Sequence, residues 1–312
     1  MHSRRLTREQ VGGKGASLSE LCVAGFKVPV GFCVTADAYR HFAEASGLEA
    51  KTSAILSSMN PSDRASVAEA AGRLASIAAA TPLPDELRSE ILEAYQDLAS
   101  MNGQPCAVRS SSISEDSTGF SFAGLYDSFL NVCGGSEVVN AVHRCYVSLW
   151  SERAVGYRAG RGENGDEDAM AVVVMGLVPS ETSGIAFTAH PVTGSTDQVV
   201  INASFGLGEA IVSGRVTPDS FVIDKNSFAV LERAIYAKEM AIFPHPDGGG
   251  TVERLLPADR RQQPSLTDEE ACAVAKLAAK VEKHYGSPQD VEWGLYAGDL
   301  FVLQSRPITT LR

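Results

Sequence analysis

Four short apolar runs, AVVVMGLV, GIAFTA, QVVINAS and SFVID, follow one another between residues 171 and 224, parted by Pro, Gly, Ser and Thr. Such runs are too short for stable helices, so they satisfy their backbone groups by pairing sideways, and the spacing predicts an antiparallel sheet. The stretch Asp290–Pro307 (DVEWGLYAGDLFVLQSRP) predicts a hairpin. A three-residue loop of Ala297, Gly298 and Asp299 pairs Tyr296 with Leu300, Gly294 with Val302 and Glu292 with Gln304. Side chains alternate with period two, so Glu292, Gln304 and Arg306 share one face while Trp293, Leu303 and Ser305 take the other. Two oxygen donors beside a guanidinium suit Mg2+ carrying a phosphate. The same face also reads as a solvated surface with an incidental Glu/Arg pair, and a slip of one residue would scatter the group.

The first half is predominantly helical in pattern. One helix covers Ala16–Ala24 and stops at Gly25, and another starts behind Thr35, whose hydroxyl caps it. Longer helices are expected from about Ser62 to Ala80, from Asp85 to Met101, and from Glu137 to about Arg158. Between the last two lie the β-like segments CAVRSS and SFLNV. The loose, charged stretch GRGENGDED marks the expected internal boundary, dividing 1–165 from 166–312 within one domain. A final helix starts at Thr267, where Glu270 completes a capping box and Leu266 staples to Ala271, and it ends near Tyr285 before Gly286.

At 312 residues, with 44% hydrophobic and 21% charged residues, the chain is long enough to bury a substantial core without staples. A net charge of −11 argues against a nucleic-acid or anionic membrane partner. The six cysteines are scattered with no CxxC pair and read as reduced thiols. MHSRRLTREQ carries no apolar core of a signal peptide, and no apolar run approaches the roughly 20 residues of a membrane span. A cytoplasmic protein is expected.

Chemistry concentrates in a few places. VGGKGASLSEL sets Lys14 in a glycine-rich turn before a helix, where bare amides favour anions, although the Walker A spacing is missing and such turns also serve as plain helix lead-ins. GLGEAIVSG, at 206–214, lacks the dinucleotide fingerprint, and its glycines suit close backbone approach. AVRSSSISEDS carries Arg109 into a hydroxyl-rich loop, either to grip a phosphate or to pair internally with Glu115 or Asp116. His190, in TAHPVTG, reads as a turn residue, since no acid or nucleophile is set beside it.

Together VGGKGASLSEL, GFKVPVGFCVT, AVRSSSISEDS, SFAGLYDSFLNV, SGIAFTAHPVTG, NASFGLGEAIVSG and PQDVEWGLYAGDLFVLQSRPIT resemble the ATP-binding domain of the phosphoenolpyruvate synthase and pyruvate phosphate dikinase family, which includes rifampicin phosphotransferase. The resemblance runs through nearly the whole chain. It implies an α+β, ATP-grasp-like fold with two subdomains, mixed or antiparallel sheets flanked by helices, and ATP between them. It further implies that Lys14 and Arg109 contact phosphates, that Gly124 and Ser128 lie near the phosphate-covering loop, that Glu292 and Gln304 ligate Mg2+, and that Arg306 binds the terminal phosphates. Ser128 stands where the family commonly has threonine, which keeps the hydroxyl. Met175 stands near the adenine where the family usually has glutamine, so weaker or less selective base binding is expected.

No histidine here resembles the family's phosphorylatable one. The implied activity is therefore that of an ATP-dependent phosphotransferase of dikinase type, incomplete without a swivelling histidine domain on the same parent chain or a separate protein. A small-molecule acceptor, such as pyruvate or a rifamycin, lies further downstream. A carboxylate-activating ligase and a non-catalytic nucleotide-binding module are the alternatives. Retention of Lys14, Arg109, Glu292, Gln304 and Arg306 weighs against the second.

Overall fold

A computed structural model describes residues 5–102, 105–114, 125–161 and 169–308. In chain order the first part runs α1 (Arg8–Val23), β1 (Gly31–Val34), α2 (Ala36–Ala45), α3 (Leu48–Ser58), α4 (Arg64–Ala80), α5 (Asp85–Asn102), β2 (Cys106–Ser112), β3 (Ser128–Val132), α6 (Gly135–Ser148), α7 (Glu152–Arg161) and β4 (Met170–Gly176). The second part runs β5 (Thr182–Phe187), β6 (Gln198–Phe205), α8 (Glu209–Val212), β7 (Asp219–Asp224), β8 (Val230–Ala234), β9 (Met240–Pro244), β10 (Thr251–Leu255), α9 (Ala258–Arg261), α10 (Asp268–Tyr285), β11 (Gln289–Tyr296) and β12 (Asp299–Pro307).

Among the described residues the first sheet has the order β1-β4-β2-β3 and the second the order β12-β11-β5-β6-β7-β8, both antiparallel throughout. The change of sheet falls between Gly176 and Thr182. β4, a buried run of valines that follows the charged loop, takes its ladder partners β1 and β2 from before that loop. The helix expected across Glu137–Arg158 is two, α6 and α7, separated at Leu149–Ser151.

Period two decides what each strand offers. In β4, Val172 and Val174 enter the helical core with Phe42, Leu74 and Tyr146, while Val173 and Met175 pack with Ala107 and Leu18 on the opposite face. Ala107 pairs with Met175 and Arg109 with Val173, so Arg109 shares that second face. In the second sheet Val291, Trp293 and Val302 bury against the α10 residues Val274, Ala275 and Ala278. The α10 cap is the one read from sequence: Glu270 N donates to Thr267 Oγ1 (3.1 Å) and Thr267 N to Glu270 Oε2 (2.8 Å).

Helix α1 joins the two sheets. Its residues Val11, Leu18 and Leu21 belong to three separate apolar clusters. It is kinked at Gly12 (φ 68°, ψ −179°), so the expected glycine turn lies inside a longer helical span. There Ser111 Oγ donates to Val11 O (2.6 Å) and accepts from Gly15 N (3.0 Å). A Cβ on Gly12 would stand 2.0 Å from Ser111 O. Gly12→Ala combines that overlap with a backbone region open essentially only to glycine, and should cost roughly 2–4 kcal/mol. Denaturant unfolding would register this as a lower midpoint; an unchanged midpoint would contradict the seating of α1 on β2.

Candidate functional site

A cavity of about 1260 Å3 separates the two sheets, somewhat larger than the usual ligand pocket of about 300–1000 Å3. Lys14, Arg109, Ser128, Met175, Glu292, Gln304 and Arg306 all line it. Seven of the eight positions that the family resemblance implies therefore line one cavity. Gly124 lies outside the described residues, as do Glu115 and Asp116.

The hairpin reaches this arrangement by a route the sequence did not reveal. Its loop has two residues, Ala297 and Gly298, both at positive φ (50° and 81°), and Tyr296 pairs with Asp299. Gly294 then pairs with Phe301 and Trp293 with Val302, correcting the expected register at the tip. An irregularity follows between Glu292 and Trp293, where Leu303 is inserted opposite the pair, and Glu292 meets Gln304 after all. The bulge offsets the shorter turn. It also turns Leu303 onto the cavity, whereas strict alternation would have sent it away. Trp293 stays in the core, 1% exposed, and touches the cavity floor.

Arg109 reaches across from the first sheet to this hairpin. Its Nη1 donates to Leu303 O (3.0 Å), and its Nη2 donates to both Glu292 Oε2 (2.8 Å) and Gln304 Oε1 (2.9 Å). The side chains of Arg109 and Glu292 are 14% and 25% exposed, so this ion pair is largely shielded from water. Burial pushes the Glu292 carboxyl pKa up, yet Arg109, with help from Lys14 and Arg306, outweighs it and holds the group below its ordinary value. Arg306 is held separately: its Nε and Nη2 lie 2.9 and 2.8 Å from Asp290 Oδ2. Sequence reasoning assigned Asp290 no part, although it lies two residues before Glu292 and so on the same face.

One wall of the cavity was also missed. The β9–β10 hairpin reaches over to the first sheet, where Asn131 Nδ2 donates to His245 O (2.9 Å) and Gly250 O (2.7 Å). Gly249 N returns a bond to Asn131 O (3.0 Å), with Asn131 itself at φ 59°. Its first strand, MAIFP, is short and lacks polar/apolar alternation, and the polar stretch after it is broken by three consecutive glycines, so no strand signal arises. His190 is the turn residue expected, its Nδ1 accepting from Val192 N and Thr193 N (both 3.2 Å), and it is not among the cavity-lining residues. In GLGEAIVSG, Gly206 allows the close approach foreseen, since a Cβ there would meet Ile242 O at 2.3 Å. All six cysteines are free thiols. No helix among the described residues is long and apolar enough to cross a membrane.

Removing the guanidinium should expose the balance at Glu292. In Arg109→Met the upward push of burial loses its main opponent, so the Glu292 pKa should rise from its depressed value. Stability contributed by the ionised pair is present above the unfolded value and lost as pH falls through the depressed folded one. The variant should therefore lose this acid-side dependence. Carboxyl-carbon NMR titration checks it, and an unmoved Glu292 would contradict the assignment of Arg109 as its counter-ion.

Comparison with known proteins places this geometry in a family. The model of the pyruvate phosphate dikinase AMP/ATP-binding domain matches residues 8–312. A probable phosphoenolpyruvate synthase of Methanocaldococcus jannaschii is 41% identical over 304 residues, covering 96% of this chain and 26% of the relative. Rifampicin phosphotransferase of a Streptomyces species is 42% identical over 303 residues, 97% of this chain and 34% of its own. The phosphoenolpyruvate synthase of Pyrococcus furiosus is 38% identical over 344 residues, 97% of this chain and 42% of its own. The chain thus spans between a quarter and under half of these relatives' length. With its α+β, ATP-grasp-like architecture of antiparallel sheets flanked by helices, the chain belongs to the pyruvate phosphate dikinase AMP/ATP-binding domain family.

Proposed function

We propose that this chain binds Mg-ATP in the cavity between its sheets and passes a phosphoryl group to a histidine on a separate swivelling domain. From there the group goes to a small-molecule acceptor such as pyruvate or a rifamycin. The observation that carries the reading is the position of Arg109 Nη2, 2.8 Å from Glu292 Oε2 and 2.9 Å from Gln304 Oε1. Two oxygens from neighbouring strands converge on one point that already holds a cation. A carboxylate and an amide oxygen are the hard donors that suit Mg2+, which takes only one or two protein ligands when it also carries phosphates. Glu292 and Gln304 would hold it, and when bound it would neutralise charge on the transferred group.

The remaining roles follow from charge and placement. Phosphoryl transfer needs alignment and charge neutralisation more than covalent help. Lys14, Arg109 and Arg306 surround the same cavity, and Arg109 would exchange its carboxylate partner for phosphate oxygens. Arg306, tethered by Asp290, would bind the terminal phosphates in a fixed orientation. Ser128 pairs with Arg109 across β3 and β2, which supports a position near the phosphates. Met175, paired with Ala107 and Gly31, sits where β4 leaves the first sheet and would pack against the base. A thioether offers the base dispersion and little hydrogen bonding. Relatives longer than this chain support, but do not identify, a domain for the acceptor histidine.

With the partner domains present, Arg306→Ala should cut nucleotide-dependent phosphoryl transfer by about 100-fold or more, the effect of losing one preorganised charge contact. Glu292→Ala should remove the dependence on Mg2+. Steady-state assays across a Mg2+ series check both, and two variants with unaltered activity would show the hairpin assignment to be wrong. Met175 should leave discrimination between ATP and GTP below about 10-fold. Competition binding tests this, and strong selectivity for ATP would exclude it.

A further inference from the structure

We infer that Ser17 is a positioning residue that sets Lys14 against the hairpin carrying Gln304 and Arg306, an inference that rests on the Mg-ATP reading above. Ser17 lies three residues past Lys14, on the same side of α1 one turn on. Its Oγ donates to Ser305 O at 2.8 Å, across the gap between α1 and β12. Ser305 is the residue between Gln304 and Arg306, so this bond grips the hairpin backbone midway between two residues of the site.

The contact is supported from both sides. Tyr285 OH, at the last residue of α10, lies 3.2 Å from Ser17 Oγ and 3.4 Å from Ser17 O. With the Ser17 proton given to Ser305, the phenol supplies its own to Ser17. On the far side of the strand Ser305 Oγ donates to Gln289 Oε1 (2.9 Å), and Gln289 is 1% exposed. A carbonyl held from one side and a hydroxyl held from the other fix the height of β12 at this point. Gln304 and Arg306 then face the cavity from a backbone whose offset to Lys14 this hydroxyl fixes at Ser305, beside the apolar packing of Leu21 with Val291 and Val302 of the hairpin.

Ser17 is not needed to hold α1 in the fold, because Val11, Leu18 and Leu21 bury into three cores and Ser111 bonds the kinked turn. Its contribution is alignment, and displacements of about 1 Å in a site of this kind can cost about 100-fold in rate. The β11–β12 ladder limits the displacement, so the loss of one hydrogen bond should read out at roughly 3- to 10-fold.

The test is calorimetric titration of the chain, with Mg-ATP and with adenosine, which lacks phosphates. Ser17→Ala should weaken Mg-ATP by that factor, leave adenosine unchanged and lower the thermal midpoint by no more than the few degrees that one hydrogen bond is worth. Ser17→Thr, which keeps the donor, should restore Mg-ATP binding, and Tyr285→Phe should weaken it in the same direction. In a Lys14→Ala background, Ser17→Ala should add less than about twofold, because a residue acting through Lys14 has nothing left to position. Equal losses for ATP and adenosine, or full additivity with Lys14→Ala, would overturn the inference. If Mg-ATP binds tightly and through Lys14 while Ser17→Ala is silent, this inference falls and the reading of the cavity stands. If Mg-ATP binds no better than adenosine, both fall.

Discussion

The guanidinium of Arg109 joins two sheets that share no strand. It leaves the first sheet on β2, crosses the cavity, and bonds a carboxylate, an amide and a backbone carbonyl on the hairpin of the second. Each partner depends on where the others are. Leu303 O is available because the bulge frees it from the ladder, and the same bulge returns Gln304 to the face of Glu292. The charge that binds the sheets together is also the charge that holds Glu292 ionised against the penalty of burial. The proposed Mg-ATP site thus doubles as the seam between the two sheets.

Helix α1 supplies the opposite wall by a different means. It is held by packing into three apolar clusters and by the close approach of Gly12 to Ser111, which no side chain would permit. Lys14 follows at once, buried and facing the cavity. Backbone proximity here and ionic contact on the hairpin set two groups of cations at a fixed separation. Preorganisation of this kind is what electrostatic catalysis of phosphoryl transfer asks of a protein.

Much of this was legible in the sequence, for identifiable reasons. The α10 capping box, the Thr35 cap and the valine-rich β4 are local signals that the fold leaves unaltered. The pairing of Glu292 with Gln304 was read correctly through a loop of the wrong length, because a two-residue turn and a one-residue bulge offset each other. Neither is visible locally: Ala297 is an unusual residue for positive φ, and nothing in VLQSR marks a bulge. That β4 belongs to the first sheet is not visible locally, because its partners lie far upstream, at Gly31–Val34 and Cys106–Ser112. Strands β8 and β10 show little apolar alternation because they sit at an edge or in a separate ribbon and bury little, and β9 because its two buried residues, Ala241 and Ile242, are adjacent. Arg109 offered two readings, and only the tertiary structure selects the hairpin as its partner.

The central claim is that Glu292 and Gln304 form a metal site shared with the phosphates of ATP. Crystals grown with Mn2+ and a non-hydrolysable ATP analogue test it most directly, through anomalous scattering of the metal. The account predicts a Mn2+ peak within coordinating distance of the Glu292 and Gln304 oxygens, with the Arg109 guanidinium moved onto the phosphates. A nucleotide bound in the cavity with its metal elsewhere, and Arg109 still bridging Glu292 and Gln304, would contradict it.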